Sequence, residues 1–413
     1  MMPAIGALDD TTAGGMRLHS SLRTGSHRLT RRAATLSVAA MLAGLAMVAP
    51  GAVGLSATPA ATMTCKIVPF APSSNFHGDH SMHDIDAIAT DDIWAVGEDD
   101  GAGKALAYHW NGQHWKQSTP APPSAGFLDS IFTTVAARAS NDVWAFGIQS
   151  SHTDEQLLIE HWNGHHWAFQ SGFAFPGISF TWNLQIQAAV AISASDAWVV
   201  GYAGVATGPR VFALHWNGHT WSRTTLPASA GYLTDITGSA VHGVWAIGGD
   251  YPVQEVYRWD GSSWQVAHSS NAVNGALGGI DVTKSGRVVA VGSADNERSS
   301  FALAGPSPSW VTQPMPATKY DYTSLADVAA VSGSNIWAIG STGPIPHAQH
   351  HHYPAIYHWS GARWSKIATP LDGKNGVQLE SVTSVPGSKR VYAVGSVDYG
   401  FGVPTDLLIT RIC

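Results

Sequence analysis

Short apolar runs separated by turn-forming residues recur along most of this chain. Within 127–170 the runs cover 132–137, 143–147, 157–162 and 165–169, with Ser, Asn, Asp and Gly frequent between them. Apolar residues follow one another within a run instead of alternating with polar ones, a pattern typical of strands covered on both faces. Four short antiparallel strands bounded by turns predict the blade of a β-propeller.

Two motifs mark each repeat at intervals of about 50 residues. Trp-Ala-x-Gly lies on the second strand and begins at Trp94, Trp144, Trp198, Trp245 and Trp337, with Val in place of Ala after Trp198, and Val289 and Tyr392 take the place of the Trp in two further repeats. His-Trp-Asn-Gly-x-x-Trp joins the third and fourth strands at 109–115, 161–167 and 215–221, with variants at 258–264 and 358–364. Of the 17 Trp residues, all but Trp182 occupy a repeat position, so the chain is built from one supersecondary unit per period.

The repeats number seven and predict an all-β, seven-bladed propeller. They lie at 82–118, 128–170, 184–225, 232–268, 277–313, 323–368 and 378–413, the last completed by 65–69. Residues 65–69 resemble a fourth strand, and 407–410 resemble a third strand with no fourth after it, so we expect the first strand of the mature protein to close the ring. Asn163-Gly164 predicts a tight hairpin in which both central residues adopt positive φ.

Residues 1–64 have the composition of a secretory leader. Five Arg precede an apolar run at 33–48 and a small-residue region, and the cleavage point falls at about 54–60. Export by the general secretory route or by the twin-arginine route remains open, and an uncleaved anchor is the alternative to cleavage. We expect a secreted, extracellular protein whose propeller spans 65–413, without stable membrane insertion after the leader is removed.

The net charge limits the kinds of partner, and the two cysteines predict a disulfide. Without residues 1–64 the chain keeps a net charge near −10 and has no basic stripe, which argues against nucleic acid as a partner. Cys65 and Cys413 are the two cysteines, and in an exported protein two cysteines usually pair. Because ring closure brings the first strand beside the last, we predict a Cys65–Cys413 disulfide. We expect a monomer.

The repeat resembles that of kelch-type propellers, the class that includes the central domain of galactose oxidase. The motif carrying the resemblance is Val-Trp-Ala-Ile-Gly-Gly at 244–249, followed by Glu-Val-Tyr at 255–257 and by Trp264. The other blades keep one glycine and use His-Trp-Asn-Gly at the turn, as in secreted propellers of actinobacteria. The resemblance implies the fold and an extracellular setting, and it adds little chemistry.

Repeated polar and aromatic residues each have a structural and a functional interpretation. The repeated Trp residues predict packing between blades, with sugar stacking as the alternative. The His of each His-Trp-Asn-Gly motif predicts a shared hydrogen bond. Acids on the first strands either cap backbone N–H groups or form a partial ring in the channel that could hold a divalent cation; they are Asp86, Asp235, Asp281 and Asp327.

Two features break the repeat. A His cluster follows the sixth blade's second strand and either binds a transition metal or is solvated; it comprises His347, His350, His351 and His352, next to Tyr353. The loop 169–182 carries Phe175, Phe180 and Trp182, which with Tyr353 are the predicted ligand-binding residues. We expect no cofactor beyond a possible divalent cation.

The loops between second and third strands and between blades are long and differ from blade to blade, whereas the other hairpins are short and uniform. Variable loops on a rigid frame are where binding concentrates. Two functions remain open. One is a non-catalytic protein that recognises a glycan, a cell-envelope component or a protein through this face. The other is an extracellular hydrolase or lyase with a metal or carboxylate site at the channel mouth. The lack of recognisable enzyme motifs favours the first.

Overall fold

The computed structural model describes residues 68–70, 80–99, 101–170, 182–204, 210–294, 297–305, 309–320, 322–344, 352–368, 376–397 and 406–412. These residues form seven four-stranded antiparallel sheets, which confirms the predicted propeller. None of them belongs to a helix that could cross a membrane. The predicted leader and both cysteines lie outside the described residues.

Each blade is a simple up-and-down sheet. Blade 1 comprises β2 (His80–Ala89), β3 (Asp92–Asp99), β4 (Lys104–Trp110) and β5 (Trp115–Ser118). Blade 2 comprises β6 (Asp129–Ala139), β7 (Asp142–Ser150), β8 (Glu155–Trp162) and β9 (Trp167–Phe169). Blade 3 comprises β10 (Trp182–Ser193), β11 (Asp196–Gly204), β12 (Arg210–Trp216) and β13 (Trp221–Arg223). Blade 4 comprises β14 (Tyr232–Ser239), β15 (Gly243–Gly249), β16 (Gln254–Trp259) and β17 (Trp264–Ser270).

The later blades follow the same order. Blade 5 comprises β18 (Gly275–Val282), β19 (Val288–Ala294), β20 (Ser299–Gly305) and β21 (Val311–Pro314). Blade 6 comprises β22 (Tyr322–Ser332), β23 (Asn335–Gly343), β24 (Tyr353–Trp359) and β25 (Trp364–Lys366). Blade 7 comprises β26 (Val377–Ser384), β27 (Val391–Val397), β28 (Asp406–Arg411) and, from the other end of the chain, β1 (Val68–Phe70).

Ring closure occurs as the sequence predicts. Strand β1 pairs antiparallel with β28, and Val68 lies opposite Arg411. The last sheet therefore joins residues from both ends of the propeller. A strand exchanged in this way ties the two chain ends through a complete hydrogen-bonded ladder and leaves no gap between the seventh blade and the first.

The hydrophobic core is divided among the blade interfaces. Seven buried clusters occur, and each one joins side chains of two neighbouring blades. At the interface of blades 1 and 2, Trp94 packs 5.2 Å from Trp162 and 5.4 Å, edge-on, from Trp167, measured between ring centroids. The repeated Trp residues thus pack between blades, and the turn Trp is half-buried in blades 1 to 4 and buried in blade 6.

The glycine of Trp-Ala-x-Gly is explained by a β-bulge in the first strand of every blade. In blade 1 the ladder shifts between Met82 and Asp84, opposite Gly97. A Cβ at Gly97 would lie 1.9 Å from the Ser81 carbonyl oxygen, and the same clash arises in the other six blades. Only glycine leaves room for that carbonyl, so this position admits no other residue without a backbone shift.

The hairpin of the His-Trp-Asn-Gly motif is confirmed, but its predicted turn geometry is wrong. Gly164 has φ of 95°, whereas Asn163 is not among the described non-glycine residues with positive φ. The loop contains four residues, and the Asn163 side chain accepts hydrogen bonds from the N–H groups of His165 and His166. The Asn side chain therefore stabilises the turn through these two bonds, and only the glycine needs a left-handed conformation.

Candidate functional site

The seven first strands surround a central cavity of about 440 Å³. Strand register divides its wall into three levels. The bulge ring contains His83, Thr133, Gln187, Thr234, Gly278, Ala326 and Glu380. The middle ring, one residue further along each strand, contains Asp84, Thr134, Ala188, Asp235, Gly279, Asp327 and Ser381. The lower ring, two residues beyond that, contains Asp86, Ala136, Val190, Thr237, Asp281, Ala329 and Thr383.

This register corrects the predicted ring of four acids. Asp235 and Asp327 lie in the middle ring, whereas Asp86 and Asp281 lie in the lower ring, opposite the first residue of the second-strand motif. Asp84, which the sequence analysis missed, is the blade 1 counterpart of Asp235. A count back from the motif glycine would have found it, because Asp84, Asp235 and Asp327 each lie thirteen residues before that glycine.

Each of these carboxylates bridges two blades. Asp86 Oδ1 accepts the N–H of Ala87 at 2.8 Å, and its Oδ2 accepts the N–H of Ala137 in blade 2 at 2.7 Å. Asp235, Asp281 and Asp327 repeat this arrangement toward Ile280, Ala330 and Val382 of the following blades. We call this arrangement the carboxylate clasp. It combines the predicted capping of local N–H groups with a second bond to the next blade.

Ser381 extends the clasps across the closure of the ring. Its hydroxyl lies 2.6 Å from Asp84 Oδ1 and 3.0 Å from Asp327 Oδ2. Asp84 in turn accepts the Thr134 hydroxyl and the N–H of Val135. A polar network therefore runs from blade 6 through blades 7 and 1 to blade 2.

Burial governs the ionisation of the clasp carboxyls. It raises the pKa of Asp86 to about 7, opposed by the hydrogen bond from Ala137 and assisted by the negative charge of Asp84. Burial likewise raises the pKa of Asp327 to about 7 and that of Asp281 to about 6. The direction follows from desolvation, which disfavours the charged carboxylate by more than the backbone hydrogen bonds favour it.

The bulge ring holds a charged group that the repeat does not require. His83 Nδ1 lies 3.0 Å from the Phe132 carbonyl oxygen, and Nε2 lies 3.3 Å from Glu98 Oε1. Burial alone lowers the pKa of His83, but these two partners and the charge of Glu380 outweigh it, and the pKa is raised. Both nitrogens face acceptors, so the geometry suits a doubly protonated imidazolium.

Glu380 completes this group from blade 7. Glu380 lines the central cavity and is exposed, and it makes no hydrogen bond to another described residue. Burial by the surrounding wall raises the pKa of Glu380, and the neighbouring His83 opposes that rise. We call His83, Glu98 and Glu380 the mouth cluster, because the start of a first strand and the end of a second strand both lie at the face that carries the variable loops.

Aromatic residues lie in blades 3 and 4, across the ring from blades 1 and 7. Tyr202 occupies the same repeat position in blade 3 as Glu98 does in blade 1, directly after the motif glycine. Its ring packs edge-on against Tyr232 of blade 4, with 4.7 Å between ring centroids. Tyr232 and Tyr251 are 38% and 59% exposed, so this edge offers aromatic surface to solvent.

The repeated His residues have the predicted structural role. His161 Nε2 lies 2.7 Å from Asp142 Oδ1, and its ring packs 4.3 Å from Trp144. His109 and His215 make the same contacts with Asp92 and Asp196, and His358 uses Asn335. In blade 4, Arg258 replaces the His and lies over Trp245.

The remaining predicted residues are only partly described. The backbone of Trp182 begins β10, while its side chain, Phe175, Phe180, His347, His350 and His351 lie outside what the structure describes. His352 hydrogen-bonds Tyr322, and Tyr353 stacks on Tyr320 at 4.6 Å. Within the described ranges, no group of three or more His, Cys, Asp or Glu side chains is arranged to hold a metal ion.

The comparisons with known proteins support the fold alone. No protein-family model matches the sequence, and no curated protein matches it. Among solved structures, YCF48 bound to D1 peptide aligns with a TM-score of 0.55 at 13% identity, covering 84% of this chain and 96% of that one. YCF48 from Cyanidioschyzon merolae aligns with a TM-score of 0.54 at 14% identity, covering 84% and 98%. At these identities the likeness extends to the propeller architecture, and the kelch resemblance stays a prediction.

Proposed function

We propose that this chain is a secreted, non-catalytic binding propeller that recognises a glycan, a cell-envelope component or a protein through the face that carries its variable loops. The proposal rests on a difference between two sets of ionisable groups in the channel. The clasp carboxylates accept backbone N–H bonds on both oxygens, so they serve the frame. The mouth cluster and the exposed tyrosines are not required by the repeat.

The same geometry disfavours the hydrolase or lyase alternative. A general base needs a free lone pair within reach of its substrate. Both nitrogens of His83 are engaged by acceptors, which leaves the imidazolium without a free lone pair. Glu98 and Glu380 then remain as candidate bases, and carboxylates of this kind occur in binding sites as readily as in catalytic sites.

The neighbouring folds are consistent with this proposal without deciding it. One solved structure of similar architecture is described as bound to a peptide. The fold thus accommodates a polypeptide ligand in at least one other protein. Export remains part of the proposal and is tested by recovery of the processed protein from the culture medium.

The experiment combines metal analysis of the exported protein with a glycan array and with binding to isolated cell envelopes. Array or envelope binding by a protein without stoichiometric transition metal is the expected result. A stoichiometric transition metal together with turnover of an envelope polymer would contradict it. Trp182→Ala and a triple Ala variant of His350, His351 and His352 test the face, because both should weaken binding without lowering the melting temperature.

Loss of binding on changes to the Asn-Gly turns, with both of those variants binding normally, would instead assign the ligand to the opposite face. Asn217→Ala is the variant that tests the Asn-Gly turns. It removes the side chain that caps the blade 3 turn through the N–H groups of His219 and Thr220.

A further inference from the structure

A cleft of about 540 Å³ lies between blades 1 and 2, at the face that carries the Asn-Gly turns. Three aromatic rings line it. Trp94 and His109 are stacked with 4.4 Å between ring centroids, and the half-buried Trp162 of blade 2 lies 5.2 Å from Trp94. The rest of the lining comes from β5, the residue after it and the blade 2 turn: Lys116, Gln117, Ser118, Thr119, His165 and His166. A cleft of this volume is within the range that accommodates a small organic ligand.

The frame of the cleft belongs to the repeat. A second cleft, of about 340 Å³, lies between blades 2 and 3, and its lining includes the corresponding residues Trp144, His161 and Trp216. The two clefts differ in charge. In the second one the guanidinium of Arg138 donates from Nε to Asp142 Oδ2 at 2.5 Å, so its positive charge has a partner within the lining.

Lys116 is the charged group that distinguishes the first cleft. It lies directly opposite His109 in the β4–β5 ladder, so both side chains are on the same side of the sheet. The other blades have uncharged residues at this position: Val68, Ala168, Ser222, Gln265, Val311 and Ser365. Lys116 makes no ion pair or side-chain hydrogen bond with another described residue, and no Asp or Glu is among the described residues that line the cleft. The repeat folds without this charge, so the frame does not explain it.

Other lining groups can both donate and accept hydrogen bonds. His109 Nε2 lies 2.9 Å from Asp92 Oδ1, so the neutral ring donates there and keeps Nδ1 as an acceptor. Ser118 Oγ accepts the Nε1–H of Trp167 at 3.0 Å, and its own proton remains available for a second bond. The hydroxyl of Thr119, which is exposed, adds one donor and one acceptor. The cleft therefore combines an aromatic surface, mixed hydrogen-bonding groups and one ammonium group without a partner.

These three features together describe an acidic sugar. A sugar ring offers C–H groups to an aromatic surface, and its hydroxyl groups both donate and accept hydrogen bonds. A carboxylate on that ring would form a charge-assisted hydrogen bond with an ammonium group. We propose that the cleft between blades 1 and 2 binds a uronic acid residue of an acidic glycan, with Lys116 bonded to the carboxylate and Trp162 stacked against the ring. This inference goes beyond the proposed function, because it adds a second site on the opposite face of the propeller.

The test compares trigalacturonic acid with its methyl ester, which keeps the rings and loses the charge. Binding is measured by calorimetry on the exported protein. We expect the acid to bind at least about tenfold more tightly than the ester. Lys116→Gln should abolish that preference. Lys104→Gln removes an exposed Lys of β4 outside the cleft lining and should preserve it.

Two further measurements separate a sugar site from a general anion site. The peptide acetyl-Gly-Glu-Gly-Glu-Gly amide carries carboxylates without sugar rings and should bind at least about tenfold more weakly than trigalacturonic acid. Trp162→Phe keeps an aromatic ring beside Trp94 and reduces the stacking surface. It should weaken binding of the acid and of the ester by the same factor, because stacking does not depend on charge.

The outcomes are distinct from those of the proposed function. Equal binding of acid and ester, or a preference retained in Lys116→Gln with a normal melting temperature, would overturn the inference. So would a peptide that binds as tightly as the sugar, or unchanged sugar binding in Trp162→Phe. Array or envelope binding that is lost in Trp182→Ala and kept in Lys116→Gln, with no binding of trigalacturonic acid, would overturn the inference and support the proposed function. The opposite result, loss in Lys116→Gln and retention in Trp182→Ala, would support the cleft and contradict the proposed face.

Discussion

Blade interfaces 2/3 and 3/4 differ from interfaces 4/5, 5/6 and 6/7 in how neighbouring blades are joined. Interface 3/4 holds a Trp triad, in which Trp198 packs 5.0 Å from Trp259 and 5.4 Å from Trp264, and interface 2/3 has the same arrangement. The first strands of blades 2 and 3 carry Thr134, Ala136, Ala188 and Val190 where acids stand elsewhere.

In the second group each interface has a clasp and lacks at least one member of the Trp triad. Val289 replaces the second-strand Trp at interface 5/6, and Ile412 lies on the blade 7 side of interface 6/7. At these interfaces Asp281 and Asp327 form clasps, as Asp235 does at interface 4/5. Large aromatic area and buried charge-assisted hydrogen bonds are thus two means of joining blades, and interface 1/2 combines them, with Trp94 packed on Trp162 and Trp167 and Asp86 bonded to Ala137. The first is insensitive to pH, and the second is not.

The largest effect is expected from removing an aromatic triad. Trp198 is 1% exposed, and Trp198→Ala should lower the free energy of unfolding by about 3–5 kcal/mol, because a large cavity forms at an interface without a clasp. Val289→Ala at interface 5/6 is the comparison and should cost about 1.5 kcal/mol for two lost methyl-sized groups. Denaturant titration measures both. Equal losses would remove the distinction between the two kinds of interface.

A covalent closure would stabilise both kinds of interface together. We predict a Cys65–Cys413 disulfide, supported by the pairing of Val68 with Arg411, and expect Cys65→Ser to lower stability by about 2–4 kcal/mol under oxidising conditions. The same variant should match the parent under reducing conditions. Mass mapping that finds two free thiols in the exported protein would contradict the prediction.

Removing one clasp should have a smaller effect. In Asp327→Asn the amide presents an N–H to a backbone donor, so either Val328 or Val382 loses its acceptor. We expect a loss of about 1–3 kcal/mol at neutral pH. Ser334→Ala, at the exposed turn after the same strand, is the control and should leave stability within about 0.5 kcal/mol of the parent. An unchanged unfolding curve for Asp327→Asn would mean that the clasps do not join the blades.

The smallest expected effect is on pH dependence. The native pKa of Asp86 is about 7, against 3.8 ordinarily, so the folded protein holds this proton over a range in which the unfolded chain releases it. Stability should therefore fall as pH rises from about 4 to 7 and level off above that. Thermal unfolding should show a melting temperature a few degrees higher at pH 5 than at pH 8. Asp86→Ala should make that slope shallower, with the remainder due to Asp281 and Asp327, whereas Trp198→Ala should lower the whole curve without changing its slope.

The local pattern predicted most of the architecture. The Trp-Ala-x-Gly and His-Trp-Asn-Gly motifs located the second and third strands within a few residues of their observed bounds, because every blade makes the same contacts within itself and with the next blade, so the same residues recur at the same spacing. Even the closing strand followed from likeness to another repeat. The turn at Asn163 was mispredicted in geometry, since the motif specifies a hairpin without specifying its length.

The sequence by itself determined the number of blades, the closure of the ring and the structural role of the repeated Trp and His residues. These depend on spacing along the chain, and spacing is visible in the residues. Only the tertiary structure decided which side chains share a level of the channel. Asp84 and Ser381 are 297 residues apart, yet they hydrogen-bond, and the residues that precede them, His83 and Glu380, line the same cavity. Closing the ring brings the first and last blades together, and these two blades carry the charged residues of a strand position that is uncharged in the other five blades.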